Sequence, residues 1–227
     1  MRRSGSSPFD ASVYSSPEAT AAFHDIIREL SQRSSVAKPT PFHQFLDRLA
    51  CSGHLLRHYT QNIDFIERHM FDLRQKTVQL YGRIDEAICQ YCNWSGPLLP
   101  DQFIGPDAPT CPKCEGVAFE RVRNGKRRSG VGCIRPNILL YGEDNRDSVK
   151  TGRIAAKNLR KAPDMLIVAG TSLKVPGAKR LVKEFCRATT ACGGTTVWIN
   201  TEAAPSGLNT AFDFVIRATC DDAASSF

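Results

Sequence analysis

Two Cys-x-x-Cys pairs are the strongest chemical signal in the sequence. Cys89 and Cys92 form the first pair, Cys111 and Cys114 form the second, and 18 residues separate the two pairs. Each pair can place two thiolates on one side of an ion, and four such ligands favour a tetrahedral zinc site. A site closed by four protein ligands has no position for water or substrate. We therefore predict one structural zinc per chain; the alternative is four ordinary reduced thiols.

Three polar clusters directly follow three predicted strands. They offer amide, hydroxyl and carboxylate groups and glycine N–H groups, and they comprise Gln61, Asn62 and Asp64; Gly170, Thr171 and Ser172; and Asn200. Taken singly, each cluster is also typical of an ordinary turn or helix cap. Because a parallel sheet brings the carboxyl ends of its strands to one edge, we expect the three clusters to meet there and to form a ligand site.

The elements that must position these residues alternate between helices and strands. Two amphipathic helices are predicted near the start, capped by Ser16 and Thr40, and Gly53 ends the second. Further helices are predicted at 150–162 and 178–188, and strands at 54–60, 76–82, 136–142, 164–170, 195–200 and 212–218. Continuously apolar strands that alternate with helices favour an α/β fold with a parallel sheet covered on both faces.

The same pattern predicts the domain boundaries. They are a frayed or truncated N-terminus at 1–15, a helical segment with strands at 16–85, the cysteine module at 86–132, the rest of the α/β part at 133–222 and a disordered tail at 223–227. The ends are rich in serine and alanine, which is typical of frayed termini. Residues 115–132 are polar and basic, so we predict that the cysteine module is an insertion into the α/β part.

Composition and charge narrow the class of protein. The chain has 41% hydrophobic and 23% charged residues, as an ordinary globular protein does, and its charge of +7 favours acidic partners. Its apolar runs are too short to span a bilayer, the start does not have the pattern of a secretory signal, and nine cysteines favour reduced, intracellular thiols. Five cations at 121–128 indicate a solvated loop, a nuclear-import signal or a contact with DNA phosphates.

Taken in order, these motifs resemble the sirtuin family of NAD-dependent protein lysine deacylases. The order is YTQNID, a strand ending in YG, the paired cysteines, RPNILLYGE, GTSLKVPG, WIN and a late CDD. The resemblance covers residues 9–222 and is closest to the fungal branch of nuclear, histone-directed sirtuins. It implies a Rossmann-like parallel sheet, N-terminally truncated here, with a small inserted zinc-binding module. It also implies that NAD and acetyl-lysine meet in a cleft between the domains.

The resemblance also implies which residues do the work. The NAD site would consist of Gln61, Asn62, Asp64, Gly170, Thr171, Ser172, Asn200, Cys220 and Asp221. The substrate peptide would be clamped as a strand by Gly142, Glu143, Leu173, Lys174 and Val175. In such enzymes the acetyl oxygen attacks the nicotinamide-bearing ribose carbon, nicotinamide leaves, and a histidine takes a proton from a ribose hydroxyl. Here Tyr81 stands at the position of that histidine, and Asn62 and Asp64 complete the catalytic set.

Two departures from the family pattern lower the expected activity. A phenol with a pKa of about 10 is protonated at pH 7 and hardly accepts a proton, and loss of a general base costs about 10²–10⁴-fold in rate. The family's first strand and its Gly-Ala-Gly loop precede the helix at Ser16, and residues 1–14 contain neither. From this we expect weak or absent NAD binding and a less stable fold.

Three functions therefore stay open at the level of sequence. The first is an NAD-dependent protein (histone) lysine deacetylase of low activity. The second is a catalytically inactive, sirtuin-like binding or scaffold protein on chromatin, and the third is a DNA-contacting zinc protein. The expected partners are an acetylated histone or another acetyl-lysine protein, and DNA through residues 121–128, with no membrane. The expected location is the nucleus, with the cytoplasm as the alternative.

Overall fold

The computed structural model describes residues 8–226 and divides them into two compact units. The first unit holds the residues up to Ala37, Asn62–Ile66 and Tyr81–Asn145, and the second holds Lys38–Gln61, Glu67–Leu80 and the residues from Arg146 onward. The predicted boundaries were different, because they grouped the first helix with the 16–85 segment. That helix belongs to the same unit as the paired cysteines.

Helices and strands alternate along most of the chain. The helices are α1 (Pro17–Val36), α2 (Pro41–Cys51), α3 (Phe71–Lys76), α4 (Pro112–Arg123), α5 (Ser148–Leu159), α6 (Pro176–Ala191) and α7 (Cys220–Ala224). The strands are β1 (His58–Thr60), β2 (Thr77–Gln79), β3 (Gly82–Cys89), β4 (Ser95–Pro97), β5 (Ile134–Ile138), β6 (Met165–Ala169), β7 (Thr195–Ile199) and β8 (Phe214–Ile216). No helix among residues 8–226 is long and apolar enough to cross a membrane.

The sequence correctly predicts how α1 and α2 begin. The Ser16 hydroxyl accepts a hydrogen bond from the Ala19 N–H at 3.2 Å, so it satisfies one of the free N–H groups at the start of α1. At α2, the Thr40 N–H donates to His43 Nδ1 at 3.3 Å. Gly53, with φ of +79°, follows the end of α2 in a conformation that suits glycine.

The first unit is built around an antiparallel sheet in the order β4-β3-β5. Its core combines Phe23 and Ile27 of α1 with Ile84 of β3 and Ile138 of β5. The prediction of a parallel strand at 136–142 was wrong, because β5 pairs antiparallel with β3. Burial alternates along β5, which is typical of a strand with one covered face.

The second unit contains the parallel strands. β1 pairs with β2, and β6, β7 and β8 form a second parallel sheet in that order. Among residues 8–226, no strand bonds these two sheets to one another. Trp198 of β7 is 1% exposed and packs in a core with Val168 of β6 and Phe212. A Rossmann-like α/β fold with parallel sheets is therefore confirmed.

Both ends are more ordered than predicted. Near the start, the Tyr141 N–H donates to the Phe9 carbonyl at 2.7 Å and the Ala11 N–H donates to the Tyr141 carbonyl at 2.9 Å. Near the end, Ala223 and Ala224 are buried in α7. The prediction of a frayed start was therefore wrong for Phe9 and Ala11, because backbone hydrogen bonds fix them. The prediction of a disordered tail was wrong for Ala223 and Ala224, because they are buried in a helix. Residues 1–7 and 227, which those predictions also covered, lie outside the described residues.

Candidate functional site

The four predicted zinc ligands meet in the first unit. The Cys89 and Cys114 sulfurs are 4.0 Å apart, the Cys92 and Cys111 sulfurs are 3.7 Å apart, and all four lie within 4.8 Å of one another. A tetrahedral ion with Zn–S bonds of about 2.3 Å places its sulfurs about 3.8 Å apart. Both the donor set and its spacing therefore fit one structural zinc.

Two elements present these thiols. Cys89 is the last residue of β3, and Cys111 is the N-cap of α4. Asn93, with φ of +55°, turns the chain just after the first pair. Helix α4 lies where the sequence indicated a polar loop; the prediction missed it because Val117, Phe119 and Val122 on this helix are exposed and give no buried stripe.

Electrostatics also favours a cation among these sulfurs. Burial raises the pKa of Cys111 to about 12. Burial acts in the same direction on Cys89, but hydrogen bonds from the backbone N–H groups of Cys92 and Tyr91 outweigh it and lower the pKa of Cys89 to about 7. Four clustered sulfurs cannot all be thiolates unless a positive charge offsets their repulsion. A zinc ion supplies that charge.

The ends of three strands in the second unit are joined by side-chain hydrogen bonds. The Thr171 hydroxyl, after β6, donates to Gln61 Oε1, after β1, at 2.8 Å. Asn200 Nδ2, after β7, donates to the Thr171 carbonyl at 2.9 Å. Gln61, Thr171 and Asn200 therefore meet as predicted, although only β6 and β7 share a sheet and β1 belongs to another.

One hydrogen-bond donor of this cluster is available for a ligand. Gln61 Nε2 is buried and has no hydrogen-bond partner among the described residues, and a buried donor of this kind is rare unless a bound molecule satisfies it. Gly170 has φ of +59°, and a Cβ built there would lie 2.9 Å from the Cys220 sulfur. Only glycine therefore leaves the backbone open beside Cys220, and the exposed Ser172 follows at once. These residues fit a nucleotide cofactor such as NAD.

Asp221 has a structural contact that the sequence did not indicate. Its carboxylate interacts with the Thr40 hydroxyl and accepts a hydrogen bond from the Phe42 N–H at 3.0 Å, and these contacts lower the pKa of Asp221. Beside it, burial raises the pKa of Cys220. The carboxylate of Asp221 thus ties α7 to the start of α2.

Asn62 and Asp64 belong to the first unit, although Gln61 belongs to the second. The Ser34 hydroxyl of α1 donates to the Asp64 carbonyl at 2.5 Å, and the Ile84 N–H donates to the Ile63 carbonyl at 2.8 Å. These bonds fix the backbone of the segment. Sequence reasoning missed Ser34, because a serine inside a helix carries no motif.

Tyr81 lies between β2 and β3 and is half-buried. Its carbonyl accepts a hydrogen bond from the Leu139 N–H at 3.0 Å. The next residue, Gly82, has φ of +82°, and a Cβ built there would lie 2.0 Å from the Asn137 carbonyl oxygen. Glycine is therefore required at 82, and the backbone direction at Tyr81 is fixed by its neighbours and not by the phenol.

The predicted peptide clamp falls into two parts, one in each unit. In the first unit, Gly142 is exposed with φ of +87°, while the Glu143 carboxylate pairs with the Arg135 guanidinium at 2.8 Å. In the second unit, the side chain of Leu173 is buried, and Lys174 is exposed, followed by Val175 as N-cap of α6. The side chains of Glu143 and Leu173 are therefore each occupied within their own unit.

A buried polar cluster in the second unit was not predicted at all. His58 Nδ1 lies 3.0 Å from the Thr77 hydroxyl and 3.8 Å from Glu67 Oε1, and Glu67 is 1% exposed. Burial lowers the pKa of His58 to about 4, and the nearby His43 adds to the effect. The imidazole is therefore neutral at pH 7. Only the folded chain brings these residues together, so no sequence spacing could have indicated the cluster.

The basic stretch 121–128 covers the last turn of α4 and the loop after it. All of its side chains are exposed. Arg121 Nε donates to the Arg127 carbonyl at 3.0 Å, and the Arg123 guanidinium lies 3.6 Å from the Glu120 carboxylate. Part of its hydrogen-bonding capacity is thus used within the stretch itself.

Known proteins share both the sequence and the fold. The NAD-dependent protein deacetylase hst4 of Emericella nidulans is 38% identical over 238 residues, which cover 99% of this chain and 40% of the relative. The NAD-dependent histone deacetylase HST4 of Saccharomyces cerevisiae is 34% identical over 230 residues, which cover 93% of this chain and 62% of the relative. The chain thus spans between two fifths and two thirds of the length of these relatives.

A solved structure of Sir2, a histidine-to-tyrosine mutant with a p53 peptide and NAD, shares the fold. Its TM-score is 0.74 at 24% identity, over 100% of this chain and 84% of the other. The model of the Sir2 family matches residues 7–177. The paired cysteines, Gln61, Thr171 and the Tyr81-Gly82 turn lie within the matched region, and Asn200 lies beyond it. The chain therefore belongs to the Sir2 family.

Proposed function

We propose that this chain is the NAD-dependent protein deacetylase module of a histone-directed Sir2 protein, and that Tyr81 lowers its turnover. The observation that carries the proposal is the cluster of Gln61, Thr171 and Asn200, with its buried and unsatisfied amide donor. The relatives named above are protein and histone deacetylases that depend on NAD. An acetylated histone tail is therefore the proposed substrate, and the nucleus the proposed location.

The residues of this chain would hold the co-substrate. NAD supplies, when bound, the ribose carbon that receives the acetyl oxygen. Gln61 Nε2 would donate a hydrogen bond to it, and the backbone at Gly170 would allow close approach. Asn200 holds the carbonyl of Thr171 and so fixes the loop. Asn62, whose segment is tied to α1 and β3, would face the nicotinamide and ribose end.

Tyr81 would separate binding from turnover. A phenol is protonated at pH 7, so it donates a hydrogen bond where the reaction needs a proton acceptor. The solved Sir2 mutant carries a tyrosine in place of one of its histidines and binds both a p53 peptide and NAD. In that protein, such a substitution is compatible with both ligands. This favours a second candidate function for the present chain, a chromatin-binding module that recognises acetyl-lysine without rapid turnover.

The test is nicotinamide release from NAD with an acetylated histone H3 peptide. We expect a slow rate for the natural chain and a gain of about 10²–10⁴-fold for Tyr81→His, since this is what a general base contributes. The matched control is Tyr81→Phe, which removes only the hydroxyl and should leave the slow rate unchanged. A natural chain as fast as Tyr81→His would contradict the role given to Tyr81.

Calorimetry separates the two candidate functions. We expect the natural chain to bind NAD weakly and, in its presence, to prefer the acetylated peptide over the same peptide without the acetyl group. Such a preference together with negligible nicotinamide release would favour the binding module. If neither the natural chain nor Tyr81→His releases or takes up heat with NAD, both the deacetylase and the NAD-dependent binding module are ruled out. The predicted DNA contact through residues 121–128 stays a prediction.

A further inference from the structure

Helices α5 and α6 of the second unit carry a large excess of cations over carboxylates. Residues 148–161 contain five cations and no carboxylate, and residues 176–191 contain four cations and one carboxylate. The combined net charge of these two segments exceeds the net charge of +7 of the whole chain. The two helices also pack against each other. The basic character of this protein is therefore concentrated on one helix pair.

The cations of each helix lie on one face. On α5 and the turn after it, Lys150, Arg153, Lys157 and Arg160 recur at intervals of three or four residues, and on α6 the same holds for Arg180, Lys183 and Arg187. Side chains at this spacing are neighbours on a helix surface. We call this set, with Lys161 and Lys179, the cationic face. The opposite sides are buried, through Asn158 on α5 and Phe185 on α6.

The charges of the cationic face are largely uncompensated. Among residues 8–226, Arg180 is its only member within salt-bridge distance of a carboxylate, at 2.9 Å from Glu184. Arg153 precedes Lys157 by four residues, and Lys157 precedes Lys161 by four, so like charges face each other and destabilise the helix.

The long helix α1 is different. It pairs Arg28 with Asp25 and Arg33 with Glu29, so it shows the mixed charges of an ordinary solvated helix. A row of repelling cations with small residues beside it, such as the exposed Gly152 and Ala156, suits close approach to a polyanion. Helix α4 has three exposed large apolar side chains, Val117, Phe119 and Val122, whereas α5 has one, Val149.

We propose that the cationic face of α5 and α6 binds the phosphate backbone of duplex DNA. The choice of DNA among polyanions rests on the proposed function, because histones are wrapped in DNA. Cations spaced by about one helical turn along two adjacent helices would neutralise several phosphates without reading bases. Binding would therefore be independent of sequence and would weaken with salt.

The test is fluorescence anisotropy of a labelled short DNA duplex with the zinc-loaded full chain, over a series of salt concentrations. The logarithm of the binding constant should fall linearly with the logarithm of salt, by about 0.9 per phosphate contact. The variant Lys150→Glu/Arg153→Glu/Lys157→Glu should bind at least about tenfold more weakly and lose about 3 from the slope. A matched variant, Arg121→Glu/Arg123→Glu/Lys126→Glu, changes the net charge equally in the basic stretch and should stay within about twofold of the natural chain.

Each other outcome overturns the proposal. Equal losses in both variants would mean that net charge alone drives binding, and a loss confined to the second would move the DNA contact to residues 121–128. Poly-glutamate that displaces DNA at equal charge concentration would indicate an acidic protein partner. If the first variant melts at a lower temperature, the glutamine triple variant at the same three positions replaces it. Binding is measured without NAD or acetylated peptide, so failure here and failure of the deacetylase proposal are distinguishable.

Discussion

The two units keep buried polar groups by opposite means. The first unit gathers four sulfurs within 4.8 Å, which calls for a cation to hold them. The second unit leaves the side chain of His58 only 17% exposed and keeps its imidazole neutral, and it ties its strand ends together with neutral hydrogen bonds. We therefore expect the stability of the first unit to depend on metal, and that of the second to depend on protons and on the proposed nucleotide.

The largest expected effect is loss of the metal from the first unit. Structural zinc sites contribute about 10–16 kcal/mol of apparent binding free energy at pH 7, and that free energy is available for folding. Cys111→Ser should abolish stoichiometric zinc in elemental analysis and remove hydrogen-exchange protection from α1, β3 and β5. The control is Cys186→Ser, a buried cysteine of the second unit that should keep its zinc. Full zinc in the Cys111→Ser protein would contradict the four-ligand site.

The next effect is acid destabilisation of the second unit. The pKa of His58 is about 4 in the folded chain, against the ordinary value of 6.5 that applies in the unfolded chain. As the pH falls, the unfolded state therefore takes up a proton before the folded state does. Stability from this group is complete above pH 6.5 and falls by about 3 kcal/mol as the pH drops to 4. In denaturant melts, the difference in unfolding free energy between the natural chain and His58→Gln should therefore shrink as the pH falls from 6.5 to 4.

An exposed histidine gives the matched control for that measurement. His54→Gln removes an exposed imidazole from the same unit without touching the cluster around His58, and the pH profile of this variant should follow that of the natural chain. A His58→Gln profile parallel to that of the natural chain would mean that His58 does not couple the second unit to protons. Hydrogen exchange should place the loss of protection in β1 and β2.

A smaller effect is expected on nucleotide binding. Gln61→Ala removes the buried amide donor and its hydrogen bond with Thr171, so NAD affinity should fall by roughly tenfold, or about 1.4 kcal/mol. The control is Gln102→Ala, at an exposed position of the first unit. Both variants should keep their zinc, and calorimetry that finds equal NAD affinities for the two would dissociate Gln61 from the cofactor.

The smallest effect concerns a helix cap in each unit. Ser16→Ala removes the cap of α1 and should cost about 1 kcal/mol of unfolding free energy. Thr219, whose hydroxyl accepts from the Asp222 N–H at 3.1 Å, plays the same part for α7. Thr219→Ala should cost a similar amount, but only in the transition of the second unit. Chemical denaturation followed by hydrogen exchange shows which unit each variant destabilises. Equal effects of either variant on both units would contradict the idea that the units are stabilised separately.

The sequence predicted best what local chemistry or chain direction determines. Thiolate spacing identified the zinc ligands, and parallel strands identified the meeting of Gln61, Thr171 and Asn200. The sequence failed where the residues in contact are far apart along the chain, or where two kinds of strand share the same apolar pattern. The apolar run of β5 resembles a parallel strand until its antiparallel partner is known. The contacts of His58 with Glu67 and of Ser34 with Asp64 exist only after folding, because the residues involved carry no shared motif.

The glycine at 82 has a consequence for the history of this site. Since the carbonyl of Asn137 leaves no room for a side chain there, the backbone on which residue 81 sits is specified whichever residue occupies that position. Tyrosine and histidine codons differ by a single base. An imidazole at position 81, which the proposed mechanism requires, is therefore one point mutation away on a backbone whose conformation does not depend on it. Under that proposal, gain or loss of turnover would need no change of the fold.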